Sequence, residues 1–126
     1  MSVAAIGVDI IETERIKKAI EHWGEHFLFR IFTPAEVAYC RAKEQAHYSF
    51  AARFAVKEAV IKAIGTGLSS NLRWTSIEIV NDKKGKAEVR LGERVKEVIG
   101  NKKILISMSH THQYAIGEAI LLEAEG

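Results

Sequence analysis

The chain has 126 residues and a formal net charge of +2, from 18 basic and 16 acidic side chains. That length supports one ordinary core, and the near balance of charge excludes a general nucleic-acid binder, which carries a strong basic excess. The single cysteine, Cys40, excludes an internal disulfide and fits a reducing compartment.

No apolar run approaches the ~20 residues needed to span a bilayer, and the segment Met1 to Asp9 lacks the basic start of a signal peptide. The expectation is a cytoplasmic protein with no membrane contact, built as a single domain over residues 1–126. There is no internal repeat, low-complexity tract or linker.

Val3 to Ile10 is apolar and β-branched and reads as a buried strand with Asp9 at its end. Glu12 to His22 follows as a helix, with Ile16, Ala19, Ile20 and Trp23 at helical spacing. Thr33-Pro34-Ala35-Glu36 has the form of a capping box and starts a short helix to about Arg41. Ala42 to Tyr48 reads as a polar surface loop.

Ser49 is expected to cap the strongest helix, Phe50 to Ile64, which Gly65 and Gly67 terminate. Its apolar residues lie almost all round, so most of its faces are expected to be buried. Trp74 to Val80 and Lys86 to Leu91 form two strands across the turn Asn81 to Gly85. A short helix over Glu93 to Ile99 comes next. Ile104 to Ser109 and Tyr114 to Leu122 are two further strands, joined by the turn His110 to Gln113. The fold class is α+β, a mainly antiparallel sheet wrapped around one long central helix.

The central helix carries Arg53, Lys57, Glu58 and Lys62 among apolar neighbours. A buried charge costs several kcal/mol unless it is paired, so so many of them in this helix suggest a use. At about 100° per residue, Glu58 and Lys62 share one face and Arg53 and Lys57 another. Asp9, at a strand end, can be aimed at that helix. Asp9 and Glu58 together would give Mg²⁺ two carboxylates, leaving other positions to water and phosphate oxygens. Asp9 could instead cap the following helix. Ser107-Met108-Ser109-His110-Thr111 ends a strand with hydroxyls, an imidazole and turn amides, all phosphate ligands. Gly65 reads as a helix C-cap that would also let a ligand lie close to the backbone.

These blocks occur in one order: Gly7-Val8-Asp9-Ile10, Phe32 to Glu36, Ala51 to Ala59 with its Arg-Phe-Ala-x-Lys-Glu-Ala pattern, Lys62 to Gly67, and Ser107 to His110. Together they resemble the holo-[acyl-carrier-protein] synthases of the 4′-phosphopantetheinyl transferase family, from about Ile6 to Ala119. The resemblance implies transfer of the 4′-phosphopantetheine arm of coenzyme A to a serine of apo-acyl carrier protein, leaving adenosine 3′,5′-bisphosphate, in the service of fatty acid biosynthesis. It implies Asp9 and Glu58 as Mg²⁺ ligands, with Asp9, Glu58 and Lys62 as the catalytic set. Lys62, Arg53, Gly65, His110 and Thr111 would contact coenzyme A, with Arg53 and His110 at its 3′-phosphate. Arg15 would face the acidic carrier, backed by Lys17 and Lys18, and the assembly would be a homotrimer with sites between subunits.

Larger phosphopantetheinyl transferases place a second acid two residues after the first. Here that position is Ile11, so two protein ligands are expected. The base that takes the serine proton is Glu58 or a metal-held water that it orients. Two other classes fit the same acids: a different Mg²⁺-dependent phosphoester enzyme acting on a nucleotide, and a non-catalytic module that binds coenzyme A or the carrier.

Overall fold

A computed structural model describes residues 2–65 and 72–124. Its first element, β1 (Val3–Glu12), joins an antiparallel sheet in the order β1-β5-β4, with β4 at Lys103–His110 and β5 at Tyr114–Leu122. A separate hairpin pairs β2 (Ile77–Asn81) with β3 (Ala87–Leu91). The helices are α1 (Thr13–Trp23), α2 (Glu25–Ile31), α3 (Pro34–Arg41), α4 (Ala46–Ile64) and α5 (Glu93–Ile99). No helix among the described residues is long and apolar enough to cross a membrane.

Helix α4 is the axis of the fold, and 11 of its 19 residues are buried. It lies against the inner face of the three-stranded sheet, and two glycines make the approach possible. A Cβ on Gly7 would stand 1.9 Å from the Ala59 carbonyl oxygen, and one on Gly117 would stand 2.3 Å from the Ala55 carbonyl carbon. The sheet alternation that puts Gly7 inward does the same for Asp9, which pairs with Gly117.

The capping box forms as expected: Thr33 Oγ1 accepts the Glu36 amide, and Glu36 Oε1 accepts the Thr33 amide at 2.9 Å. Glu36 does more than cap. The fully buried Lys57 Nζ sits 2.6 Å from Glu36 Oε1 and also donates to the Ile31 carbonyl, while Glu36 Oε2 accepts the Ile79 amide. One ion pair thus ties α2, α3 and α4 to β2.

Four readings need correction. Strand β1 is buried on one face only: Ile6 and Ile10 are each 63% exposed, with Val3 and Val8 about half exposed. Leu105, Tyr114 and Ile116 continue the same outer face with apolar side chains. The segment taken for a loop to Tyr48 already contains the first turn of α4, whose N-cap is Gln45; Ser49 instead bonds to Cys40 and Arg53. Trp74–Ser76 is a short 3₁₀ turn, so β2 begins at Ile77. Helix α2 went unrecognised, because seven residues set off by Gly24 give no measurable period. Thr66 and Gly67 lie outside the described residues.

Overpacking of a tight contact typically costs 1–3 kcal/mol, and backbone on both sides leaves little relief. Gly117→Ala is expected to lower stability by about 3 kcal/mol in urea unfolding, and Gly7→Ala by as much or more. A loss below about 0.5 kcal/mol for both would show that the sheet and α4 are not in contact there.

Candidate functional site

Strand β1 delivers Asp9 toward α4, and α4 delivers Glu58 and Lys62 one turn apart on its adjoining face. Lys62 Nζ donates to Asp9 Oδ1 and to the Val8 carbonyl, both at 3.0 Å. Asp9 and Glu58 line a single cleft of about 610 Å³, whose other walls come from α1 and α2 (Arg15, Ile16, Ala19, Phe27) with Phe54 and Tyr114.

The electrostatics of the cleft are unbalanced. Burial pushes the Glu58 carboxyl above the ordinary glutamate value of 4.5, the Asp9 charge pushes it further, and Lys62 pulls it back. Asp9, Glu12 and Glu58 line the cleft with Arg15, and the half-exposed Lys62 ammonium reaches it at Asp9, so three carboxylates face two fixed cations, a surplus of negative charge that a bound cation would relieve. Among the described residues there is no group of three or more His, Cys, Asp or Glu able to hold a metal ion. A two-carboxylate donor set fits Mg²⁺, which keeps several waters and takes substrate phosphate oxygens, better than Zn²⁺, which wants three or four protein ligands. Ile11, where a third acid would stand, packs into the apolar cluster around Ile16 and Leu28.

Arg53 and His110 meet in a second cavity of about 480 Å³, with Tyr39, Lys43, Tyr48 and Asn81. Arg53 is buried. Its guanidinium lies 4.2 Å from the Tyr39 ring centre, its Nη atoms donate to Ser49 Oγ and Asn81 Oδ1, and its Nε has no partner. His110 stacks on Tyr48, with ring centres 5.3 Å apart and 8° between planes. Cations, an imidazole and flat rings around one cavity suit a phosphorylated, planar ligand. The α4 positions of Arg53 and Glu58 are about 140° apart around the helix axis, so the two cavities open on different sides.

The expected residues therefore fall into groups. Asp9, Glu58 and Lys62 come together, and so do Arg53 and His110. Gly65 terminates α4 in the left-handed conformation, with φ of 87° and its amide bonded to the Ile61 carbonyl. The Thr111 hydroxyl accepts the Gln113 and Tyr114 amides and so holds the β4–β5 turn. Lys57 is not on a ligand face at all. Arg15 lines the acidic cleft, whereas Lys17 borders a different depression with Ile20, Leu28 and Phe50. Sequence reasoning missed Tyr39, Tyr48 and Asn81; the aromatic residues beside Lys43 and Arg53 were the available signal.

A family model described as the 4′-phosphopantetheinyl transferase superfamily matches residues 5–117. The chain is 48% identical to the holo-[acyl-carrier-protein] synthase of Chlamydia caviae, covering 97% of this chain and 99% of that protein. It is 44% identical to the Protochlamydia amoebophila enzyme of the same name, over 91% and 94%. Among solved structures, the Neisseria meningitidis holo-[acyl-carrier-protein] synthase superposes with a TM-score of 0.88 at 30% identity, over 97% and 100% of the two chains. The Helicobacter pylori enzyme, in complex with coenzyme A, gives 0.84 at 29% identity, over 92% and 98%.

The raised Glu58 carboxyl has a stability consequence. Below about pH 4.5 the group is protonated in both folded and unfolded chains and contributes nothing. Above that value the unfolded chain loses the proton first, so folding is opposed, and the penalty is complete once pH exceeds the folded value. In metal-free buffer Glu58→Gln is expected to raise the melting temperature at pH 7 and to have no such effect at pH 4. Equal shifts at both values, read by circular dichroism, would contradict this.

Proposed function

The chain belongs to the 4′-phosphopantetheinyl transferase superfamily, among its holo-[acyl-carrier-protein] synthases, and we propose that Asp9, Glu58 and Lys62 form its reaction centre. The enzyme transfers the phosphopantetheine arm of coenzyme A to apo-acyl carrier protein. The observation that carries the placement is the meeting of Asp9 and Glu58 in one cleft, with the Lys62 ammonium 3.0 Å from Asp9.

The carrier serine oxygen forms a bond to the β-phosphorus of coenzyme A while the bond from that phosphorus to the bridging oxygen breaks. Adenosine 3′,5′-bisphosphate leaves with the electron pair. Asp9 and Glu58 would hold Mg²⁺, which supplies neutralisation of the pyrophosphate charge. Lys62, half-exposed, reaches from Asp9 to the same phosphates and steadies the leaving oxygens. Glu58 takes the serine proton, directly or through a water that it orients. Phosphoryl transfer of this kind depends mainly on positioning and charge. Ile16, Ala19, Phe27 and Phe54 give the uncharged arm an apolar wall on which to lie. Arg53 and His110 bind the 3′-phosphate end, with the Tyr48 ring beside them.

Two features support an assembly of identical subunits. The outer face of the three-stranded sheet leaves Ile6, Val8, Ile10, Leu105 and Ile116 to water, an apolar surface of the kind that marks an interface. The cavity holding Arg53 and His110 opens away from the one holding Asp9 and Glu58. A neighbour docked on the sheet would supply the second cavity to the first, which fits the homotrimer expected from the resemblance.

Two tests apply. Apo-carrier incubated with coenzyme A, Mg²⁺ and the enzyme should gain the mass of the arm by mass spectrometry, and Glu58→Gln should slow that gain by about 10³-fold or more. Near-normal turnover of the variant would remove Glu58 from the centre. Separately, Ile6→Asp should give a monomer in light scattering that retains the parent fold but has lost transfer activity; an unchanged oligomer would place the interface elsewhere.

A further inference from the structure

We propose that Thr13 is a positioning residue for coenzyme A binding, because its buried hydroxyl holds the β4–β5 turn that carries His110. The proposal rests on the reading of the Arg53–His110 cavity given above and deepens it.

Among the described residues four polar or charged side chains are buried: Thr13, Glu36, Arg53 and Lys57. Glu36 and Lys57 pair with each other, and Arg53 faces the second cavity. That leaves Thr13, which is 2% exposed. It is the first residue of α1, yet it caps nothing: the N-cap is Glu12, and that cap makes no side-chain bond. A hydroxyl costs free energy to bury unless it is bonded, and valine would fill the same volume without that cost. The reason for a threonine therefore lies in the partner of its hydroxyl.

Both donors of Thr13 go to the β4–β5 turn. The amide donates to the Gln113 carbonyl at 2.9 Å, and the hydroxyl donates to the His112 carbonyl. The amide bond extends the β1–β5 pairing past Glu12 and Tyr114, and any residue but proline could make it. The hydroxyl bond needs a serine or threonine. Residues 111 to 113 are all exposed, and exposed turn backbone moves unless it is tied. Thr111 ties the turn from within, through the Gln113 and Tyr114 amides. Thr13 ties it from outside, to a helix that the buried Ile16 fixes in the core.

What the turn presents gives the bond its use. The His112 ring stacks on Tyr48, with centres 5.6 Å apart and 17° between planes, and His110 stacks on the same ring. Tyr48 and His110 line the second cavity, whereas His112 and Thr13 do not. The hydroxyl thus acts on that cavity only through the His112 backbone and the two imidazoles set against Tyr48. A slackened turn would let His110 leave its stack and misplace its contact to the ligand. Asp9, Glu58 and Lys62 are placed by β1 and α4 and would stay where they are. The hydroxyl therefore bears on how tightly coenzyme A is held and not on the chemical step.

The test is steady-state kinetics on the intact enzyme with purified apo-carrier, together with calorimetric titration of adenosine 3′,5′-bisphosphate. Thr13→Val should raise KM for coenzyme A and Kd for the bisphosphate about fivefold, the scale of one lost hydrogen bond, while kcat stays within about twofold of the parent. Thr13→Ala, which lacks the hydroxyl and crowds nothing, should behave alike. Thr13→Ser should return both constants to within about twofold. A change below about twofold in both hydroxyl-free variants would overturn the proposal. So would a fall in kcat with KM unchanged, or a serine variant as weak as valine. Arg53→Ala, measured in parallel, should weaken the bisphosphate more than tenfold; unchanged binding there would overturn the placing of the nucleotide in this cavity instead.

Discussion

The contact on which the site depends is backbone against backbone: α4 lies so close to β1 and β5 that only glycine fits beneath it at positions 7 and 117. Asp9 is the next inward position on β1 after Gly7, directly opposite Gly117 in the register. Its carboxylate therefore enters at the level where α4 presents Glu58 and Lys62. A wider gap, as any side chain at either glycine would require, would move the two acids apart by a comparable distance. Two carboxylates proposed to share one divalent ion would tolerate little of that.

Distance alone does not aim Glu58; the rotation of α4 about its own axis does. That rotation is held by the preceding residue. Lys57 is fully buried, with Glu36 at 2.6 Å and the Ile31 carbonyl at 2.8 Å. Burial lowers the Lys57 pKa, and the Glu36 charge and hydrogen bond oppose that lowering. The pair's net contribution to stability is small by comparison with its geometric effect, because desolvation offsets much of the attraction. With Lys57 fixed on one side, Glu58 is turned about 100° to the other, into the cleft. Adjacent residues of one motif thus do opposite jobs, one inside the core and one at its edge.

Much of this could be read from the sequence, and the failures have physical causes. The Thr33–Glu36 capping box, the β2–β3 hairpin and the apolar helix were legible because each is a local pattern. The pairing of Asp9 with Glu58 was legible only through several motifs in register, since nothing local joins residues 49 positions apart. Strand β1 was misjudged because an uninterrupted apolar run looks the same whether its second face meets a core or a neighbouring molecule. Tyr48 was hidden because the polar residues before it suggested a loop. Lys57 and Arg53 were grouped by helical phase, yet one finds a carboxylate partner and the other finds Tyr39, Ser49 and Asn81. Periodicity gives the direction of a side chain and not the chemistry it meets.

The split between two cavities has a consequence for how such an enzyme can be regulated by its own assembly. Coenzyme A is a long ligand with charged groups at one end and its reacting phosphorus near the middle. On one chain, Arg53 and Glu58 point about 140° apart on the same helix, so a single α4 serves two ligands better than it serves both ends of one. An apolar sheet face left to water on the isolated chain favours association as strongly as its area allows. If that association places the Arg53 cavity of one copy over the acidic cleft of the next, every helix works twice, once for each neighbouring site. Loss of the interface then removes activity without disturbing any residue of the acidic centre, which separates assembly from chemistry as causes of inactivity.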